Sequence, residues 1–124
     1  MRCVFCTLPQ ERITIEFPLI VVVRDAYPVS TGHTLILPKR HVQSFFDLLE
    51  TEREQMFQAL NCAKEHLADY KPDGFNIGIN DGVAAGQTIP HLHLHLIPRY
   101  LGDSEDSRGG VRWVLPEKAK YWTS

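Results

Sequence analysis

The chain has 124 residues, 44% of them apolar and 23% charged, and a net charge of −2. This is enough chain for one core, read as a single domain over 1–124, and the charge balance excludes the basic field that long nucleic acid requires. No apolar run approaches the roughly 18–20 residues of a membrane span, and "MRCVFCTLPQER" lacks the layout of a secretory leader, so a cytoplasmic protein with no membrane partner is expected.

Cys3 and Cys6 form C-x2-C, a spacing that in a reducing compartment points to metal or redox chemistry, with two buried thiols as the plainer reading. Downstream, "ITIEF" (13–17) alternates as a strand, and "LIVVVRD" (19–25) is rich in β-branched residues and reads as a buried one. "AYPVSTGH" is a turn punctuated by Pro28, Ser30 and Gly32, and "HTLILPK" (33–39) is the next strand, ended by Pro38. "FFDLLE" (45–50) holds a short helical turn, and "TEREQMFQALNCAKEHLADY" is the main helix. Thr51 and Glu54 are its expected capping box, Met56, Leu60, Ala63 and Leu67 its apolar face, and Pro72-Asp73-Gly74 its stop. Cys62, alone in this helix, reads as a small core residue. "FNIGIN" (75–80) alternates as a strand, "DGVAAGQT" is a loop, and "HLHLHLIP" (91–98) is a strand by strict alternation. A polar segment, "GDSEDSRGG" (102–110), leads into the closing "VRWVLPEKAKYW". Many strands with one long helix predict an α+β fold with a mostly antiparallel sheet.

The strand at 91–98 carries the chemistry. Side chains at alternate strand positions share a face, so His91, His93 and His95 stand together while Leu92, Leu94 and Leu96 pack on the core. A polar solvated face would more commonly use Thr, Lys or Glu. One zinc held by all three would have to close roughly 13 Å of extended strand. A nucleophilic imidazole is the third reading, because neutral imidazole attacks phosphorus and the resulting phosphoramidate is readily hydrolysed. The preceding loop supports it: Asn80, Gln87 and Thr88 are hydrogen-bonding groups suited to a phosphate.

These residues resemble the histidine-triad (HIT) family. "HLHLHLIP" is similar to its His-x-His-x-His signature, "RDAYPVSTGHTLILPKRH" (24–41) to its nucleotide-pocket segment, "GFNIGINDGVAAGQT" (74–88) to its phosphate loop, and "CVFC" to its zinc-containing bacterial branch. The resemblance covers most of residues 3–99. It implies a five-stranded antiparallel sheet with one long and one short helix, a homodimer, and nucleotide hydrolysis or transfer at the α-phosphate.

Carried over by position, the resemblance makes His93 the nucleophile, His95 a phosphate contact and His33 the fourth histidine supporting the triad. Gln87 and Thr88 would bind the scissile phosphate and leaving oxygen, Asn80 a phosphate, and Asp25 the ribose hydroxyls. It also implies one structural zinc per chain on Cys3, Cys6, His41 and His91. The C-terminal segment "RGGVRWVLPEKAKYW" is unlike the short tryptophan-containing tail of the phosphoramidase branch and is more similar to bacterial members described as dinucleoside-polyphosphate hydrolases, which implies substrates such as diadenosine tetraphosphate; a nucleoside phosphoramidase is the alternative. A nucleotide-binding regulatory module with little turnover is the alternative of another class, and the intact nucleophile position speaks against it. Arg99, Arg108 and Arg112 are candidate contacts for a longer phosphate chain, with ordinary surface charge as the other reading. Phe5, Leu8 and Ile20 are candidate walls of a base pocket. The tail, 102–124, with Trp113 and Trp122, is a possible dimer or substrate contact.

Overall fold

A computed structural model of the chain describes residues 3–123. Five strands form one antiparallel sheet: β1 (Ile13–Glu16), β2 (Ile20–Arg24), β3 (Thr34–Pro38), β4 (Gly74–Ile79) and β5 (Leu94–Arg99), in the order β1-β2-β3-β5-β4. The long helix, α1 (Glu50–His66), packs on one face, and a four-residue helix, α2 (Pro116–Ala119), lies in the tail. The "FFDLLE" turn is a short 3-10 helix, Phe45–Asp47. Among the described residues no helix is long and apolar enough to cross a membrane.

The alternation divides the two sheet faces. Ile20, Val22, Ile36, Leu94 and Leu96 join Leu92 and the α1 residues Met56, Ala59 and Ala63 in the main core. Val21, Val23, Leu35 and Leu37 point the other way, covered by Phe5, Leu8 and Ile13 of the N-terminal segment. The central strands are buried on both faces, which is why β2 reads as a continuous apolar run. Leu35 pairs with His95 in the β3–β5 ladder, so the histidine face lies on this second side.

Two element boundaries differ from the sequence reading. Regular pairing of the histidine segment begins at Leu94, because both neighbouring ladders end there, at Ile36↔Leu94 and Ile79↔Leu94. Upstream, the Leu92 N–H donates instead to Val42 O (2.7 Å) and the His91 N–H to Ile89 O (2.8 Å), so His91 and His93 stand on a lead-in outside the strand ladder. The helix begins at Glu50 with Leu49 as its N-cap, and Glu52 reaches back so that its carboxylate accepts from the Leu49 N–H at 2.8 Å; Thr51 and Glu54 are not the capping pair. Leucine at the cap has no acceptor to return, so only half of a capping box forms. Glu52 is recruited because it is buried and doubly bonded by Arg40 (2.8 and 3.1 Å), tying the segment after β3 to the start of α1. Cys62 is half-buried on the flank of α1, outside the core.

Gly32, just before β3, has φ +90, and a Cβ there would sit 2.9 Å from Leu67 Cδ2. Both the backbone conformation and the space demand glycine. Gly32→Ala is expected to lower stability by about 1–3 kcal/mol, read from the midpoint of urea unfolding at unchanged slope.

Candidate active site and metal cluster

The turn between β2 and β3, the loop before β5 and the N-terminal segment enclose a cavity of about 650 Å³ against the histidine face. His33, His93, His95, Asp25, Asn80 and Thr88 all line it. Phe5 and Leu8 line it too, whereas Ile20 is fully buried in the opposite core and takes no part.

The backbone sets the chemistry of His93. Its Nδ1 lies 2.9 Å from the carbonyl oxygen of His91. A carbonyl only accepts, so Nδ1 carries the proton and Nε2 keeps its lone pair. The Phe5 ring meets His93 edge-on at 5.0 Å between centroids, and His95 flanks it at 5.1 Å. His33 Nε2 and His95 Nδ1 are 2.9 Å apart, with Asp25 Oδ2 at 3.4 Å from the same His33 nitrogen. Burial pushes the His95 imidazole down to about 4, with His93 and His33 adding to the effect. Burial lowers His33 as well, against the opposing pull of Asp25. Both rings are therefore neutral at physiological pH.

Gln87 sits apart from the other expected phosphate contacts. It is buried, its Oε1 accepts from the Gly82 N–H (2.8 Å), and its Nε2 donates to Gln43 O (3.0 Å) and Ile89 O (3.2 Å). Both ends of the amide are spent bracing the loop that presents Asn80 and Thr88, and Gln87 is not on the cavity wall. The three arginines are likewise engaged elsewhere. Arg99 holds Asp103 and Asn76, Arg108 holds Asp106 over the Trp122 ring, and Arg112 donates to Ala119 O and Lys118 O. These contacts fold the tail on itself, and within the chain Trp113 and Trp122 stay in that tail rather than at the cavity. The arginine on the cavity wall is Arg12, which sequence reading missed; it donates to Arg24 O at 3.0 Å. No local pattern marks it.

Cys3, Cys6, His41 and His91 each offer a ligand atom, and these atoms lie within 4.8 Å of one another. His91 Nδ1 is 3.5 Å from both thiol sulfurs, and His41 Nδ1 is 3.2 Å from Cys6 Sγ. A tetrahedral zinc with ordinary bond lengths separates sulfur and nitrogen ligands by about 3.5 Å. His91 Nε2 donates to Pro38 O at 2.8 Å, which leaves Nδ1 as the lone-pair nitrogen turned toward the sulfurs. A histidine whose second nitrogen is held by a carbonyl is the arrangement a metal ligand requires. The donor set fits such an ion.

The HIT domain model matches residues 9–102. The chain belongs to the HIT family. An uncharacterized HIT-like protein of Methanocaldococcus jannaschii is 36% identical over 111 residues, 83% of each chain. A Schizosaccharomyces pombe bis(5'-nucleosyl)-tetraphosphatase (asymmetrical) is 37% identical over 81 residues, 64% of this chain and 44% of that one. The crystal structure of a zinc-bound histidine triad family protein from Mycobacterium smegmatis superimposes with a TM-score of 0.72 at 32% identity, covering 94% of this chain and 93% of that one. Hydrolases therefore stand among the chain's family relatives, as does a zinc-bound structure of the same fold.

Proposed function

We propose that the protein is a nucleotide hydrolase that transfers a nucleoside monophosphate onto His93 and then to water, with dinucleoside polyphosphates as its substrate class. The observation that carries this reading is the His93 imidazole, its Nδ1 proton held by the His91 carbonyl and its Nε2 lone pair on a ring that lines the cavity. In the first step Nε2 forms a bond to the α-phosphorus while the bond from that phosphorus to the bridging oxygen breaks. The electron pair leaves with the departing nucleotide. Water then attacks the same phosphorus, the P–N bond breaks and nucleoside monophosphate is released. Thr88, Asn80 and neutral His95 line the cavity as hydrogen-bonding groups for the phosphate oxygens, and Asp25 is the acceptor for ribose hydroxyls. Gln87 acts through the loop it braces. The fungal tetraphosphatase relative favours a phosphoanhydride over a phosphoramidate substrate.

Zinc on Cys3, Cys6, His41 and His91 is the metal we assign, and a four-ligand closed site is structural. The free cysteines suit a reducing, cytoplasmic setting. A homodimer is the expected assembly, since β4 is an edge strand with Ile77 48% exposed, and Phe57 of α1 is half-exposed as well. Sedimentation at micromolar concentration should give twice the chain mass; a stable monomer would remove the dimer.

The decisive assay compares kcat/KM over adenine and guanine dinucleoside polyphosphates and nucleoside phosphoramidates, with products identified. Expected is asymmetric cleavage that yields nucleoside monophosphate fastest from a polyphosphate. Binding of every substrate without turnover would instead make the protein a nucleotide sensor.

A further inference from the structure

One charge on the cavity wall has no part in the chemistry at His93. Arg12 ends a short 3-10 turn, Gln10–Arg12, just before β1. It is held at both ends: its backbone N–H donates to Pro9 O and its guanidinium Nη2 to Arg24 O, each at 3.0 Å. A guanidinium carries five N–H donors and no acceptor. The other four meet no protein acceptor among the described residues, and no carboxylate there pairs with the cation. Asp25, the acidic group on the same wall, turns its Oδ2 to His33 and its Oδ1 to the Tyr27 N–H. Arg12 is half-buried and lines the cavity all the same. A fixed, partly desolvated fork of donors without a partner suits a ligand group that only accepts.

The strand register says which part of a ligand Arg12 meets. Ile13 pairs with Val23, so Arg12 comes beside Arg24; Arg24 pairs with Thr34, and Thr34 with Leu96 of the histidine strand. Three strand steps of about 4.8 Å therefore part Arg12 from β5, roughly 14 Å across the sheet. The tether of Nη2 to Arg24 O holds the guanidinium on the β1–β2 side, away from a phosphate at His93. A nucleotide with its α-phosphate at His93 and its ribose at Asp25 runs across the strands toward β1, and its base arrives at Arg12, with Leu8 and Pro9 of the same segment as apolar walls. We propose that Arg12 reads the base and selects a 6-oxopurine, guanine over adenine. On one edge guanine offers O6 and N7, two acceptors side by side that match the guanidinium fork. Adenine offers N7 beside an amino group, which would meet the fork donor to donor. The nucleotide's place in the cavity rests on the hydrolase reading above; the demand for acceptors rests on Arg12 alone.

The test is calorimetric binding of mononucleotides to the full-length protein, which needs no turnover. The wild type should bind GMP and IMP alike, because both carry O6 and N7, and each on the order of tenfold or more tighter than AMP. The 7-deaza analogue of GMP, which lacks the N7 acceptor, should lose most of that advantage. Arg12→Met keeps an unbranched apolar stem and removes every donor, so it should bind GMP as weakly as AMP while its AMP affinity changes little. Equal loss of GMP and AMP affinity would make Arg12 a general contact for the nucleotide's charge and overturn base reading. Wild-type protein that binds AMP as tightly as GMP would overturn it too, whether or not the variant folds. A guanine preference in binding with no turnover of any dinucleotide would instead overturn the hydrolase reading alone, and no binding of any mononucleotide would overturn both.

Discussion

His93→Ala is expected to lower kcat by about four orders of magnitude, or about 5 kcal/mol in the barrier, while nucleotide affinity stays within about tenfold. The separation follows from what His93 does and does not touch. Its Nε2 makes no protein hydrogen bond among the described residues and its ring is only partly buried, so removing it leaves the cavity walls of Phe5, Leu8, Asp25 and Thr88 in place. What disappears is the atom that forms the bond to phosphorus, and no neighbour can replace it. His95 has one nitrogen engaged with His33, and His91 has its Nε2 on Pro38 O and its Nδ1 facing the cysteines. Rapid quench of the wild-type protein with phosphorus-labelled dinucleotide should trap label on protein, acid-labile as a phosphoramidate, and the His93 variant should trap none. Near-normal turnover by His93→Ala would end the covalent mechanism.

The second large effect is on stability. Protein purified without chelator should contain about one zinc per chain by elemental analysis, and the double variant Cys3→Ser, Cys6→Ser should contain none. The ligands lie far apart in sequence: Cys6 meets a histidine 35 residues on, and Cys3 one 88 residues on. A cross-link closing loops of that size restrains the unfolded chain by about 3–4 kcal/mol, as a disulfide does, so the melting temperature should fall on the order of 10–15 °C. The fold should survive, because the strands and α1 build a core to which the four ligands add only the buried ring of His91. Activity should fall but remain measurable. Phe5 lies between the two cysteines and packs on His93, and the carbonyl of His91 orients His93, so loss of the metal loosens the nucleophile without removing it. Metal-free wild-type protein of unchanged stability would return Cys3 and Cys6 to the role of two ordinary thiols.

Much of this was legible in the residues themselves. Alternation is a local property, so the five strands, the leucine face of the histidine segment and the buried character of β2 could be read from short windows. Gly32 and the turn before β3 carry their own punctuation. The family resemblance grouped Cys3, Cys6, His41 and His91, and the fold brings their ligand atoms together. Only the tertiary structure decided the rest. The histidine strand pairs from Leu94 because its neighbours end there, a fact of partner strands and not of its own sequence. Gln87 is a polar loop residue whose amide could face ligand or loop; three backbone groups within reach turned it inward. Arg12 reaches the cavity wall while Arg99, Arg108 and Arg112 are held by partners in the sheet and tail. The proton positions on the four buried or half-buried histidines depend most on the fold, because each is fixed by a group brought to it through space: the His91 carbonyl for His93, Pro38 for His91, the Val29 amide for His33, and His33 for His95. A sequence specifies which rings are present, but the proton on each ring goes to whichever nitrogen finds an acceptor, and the folded backbone supplies most of those partners.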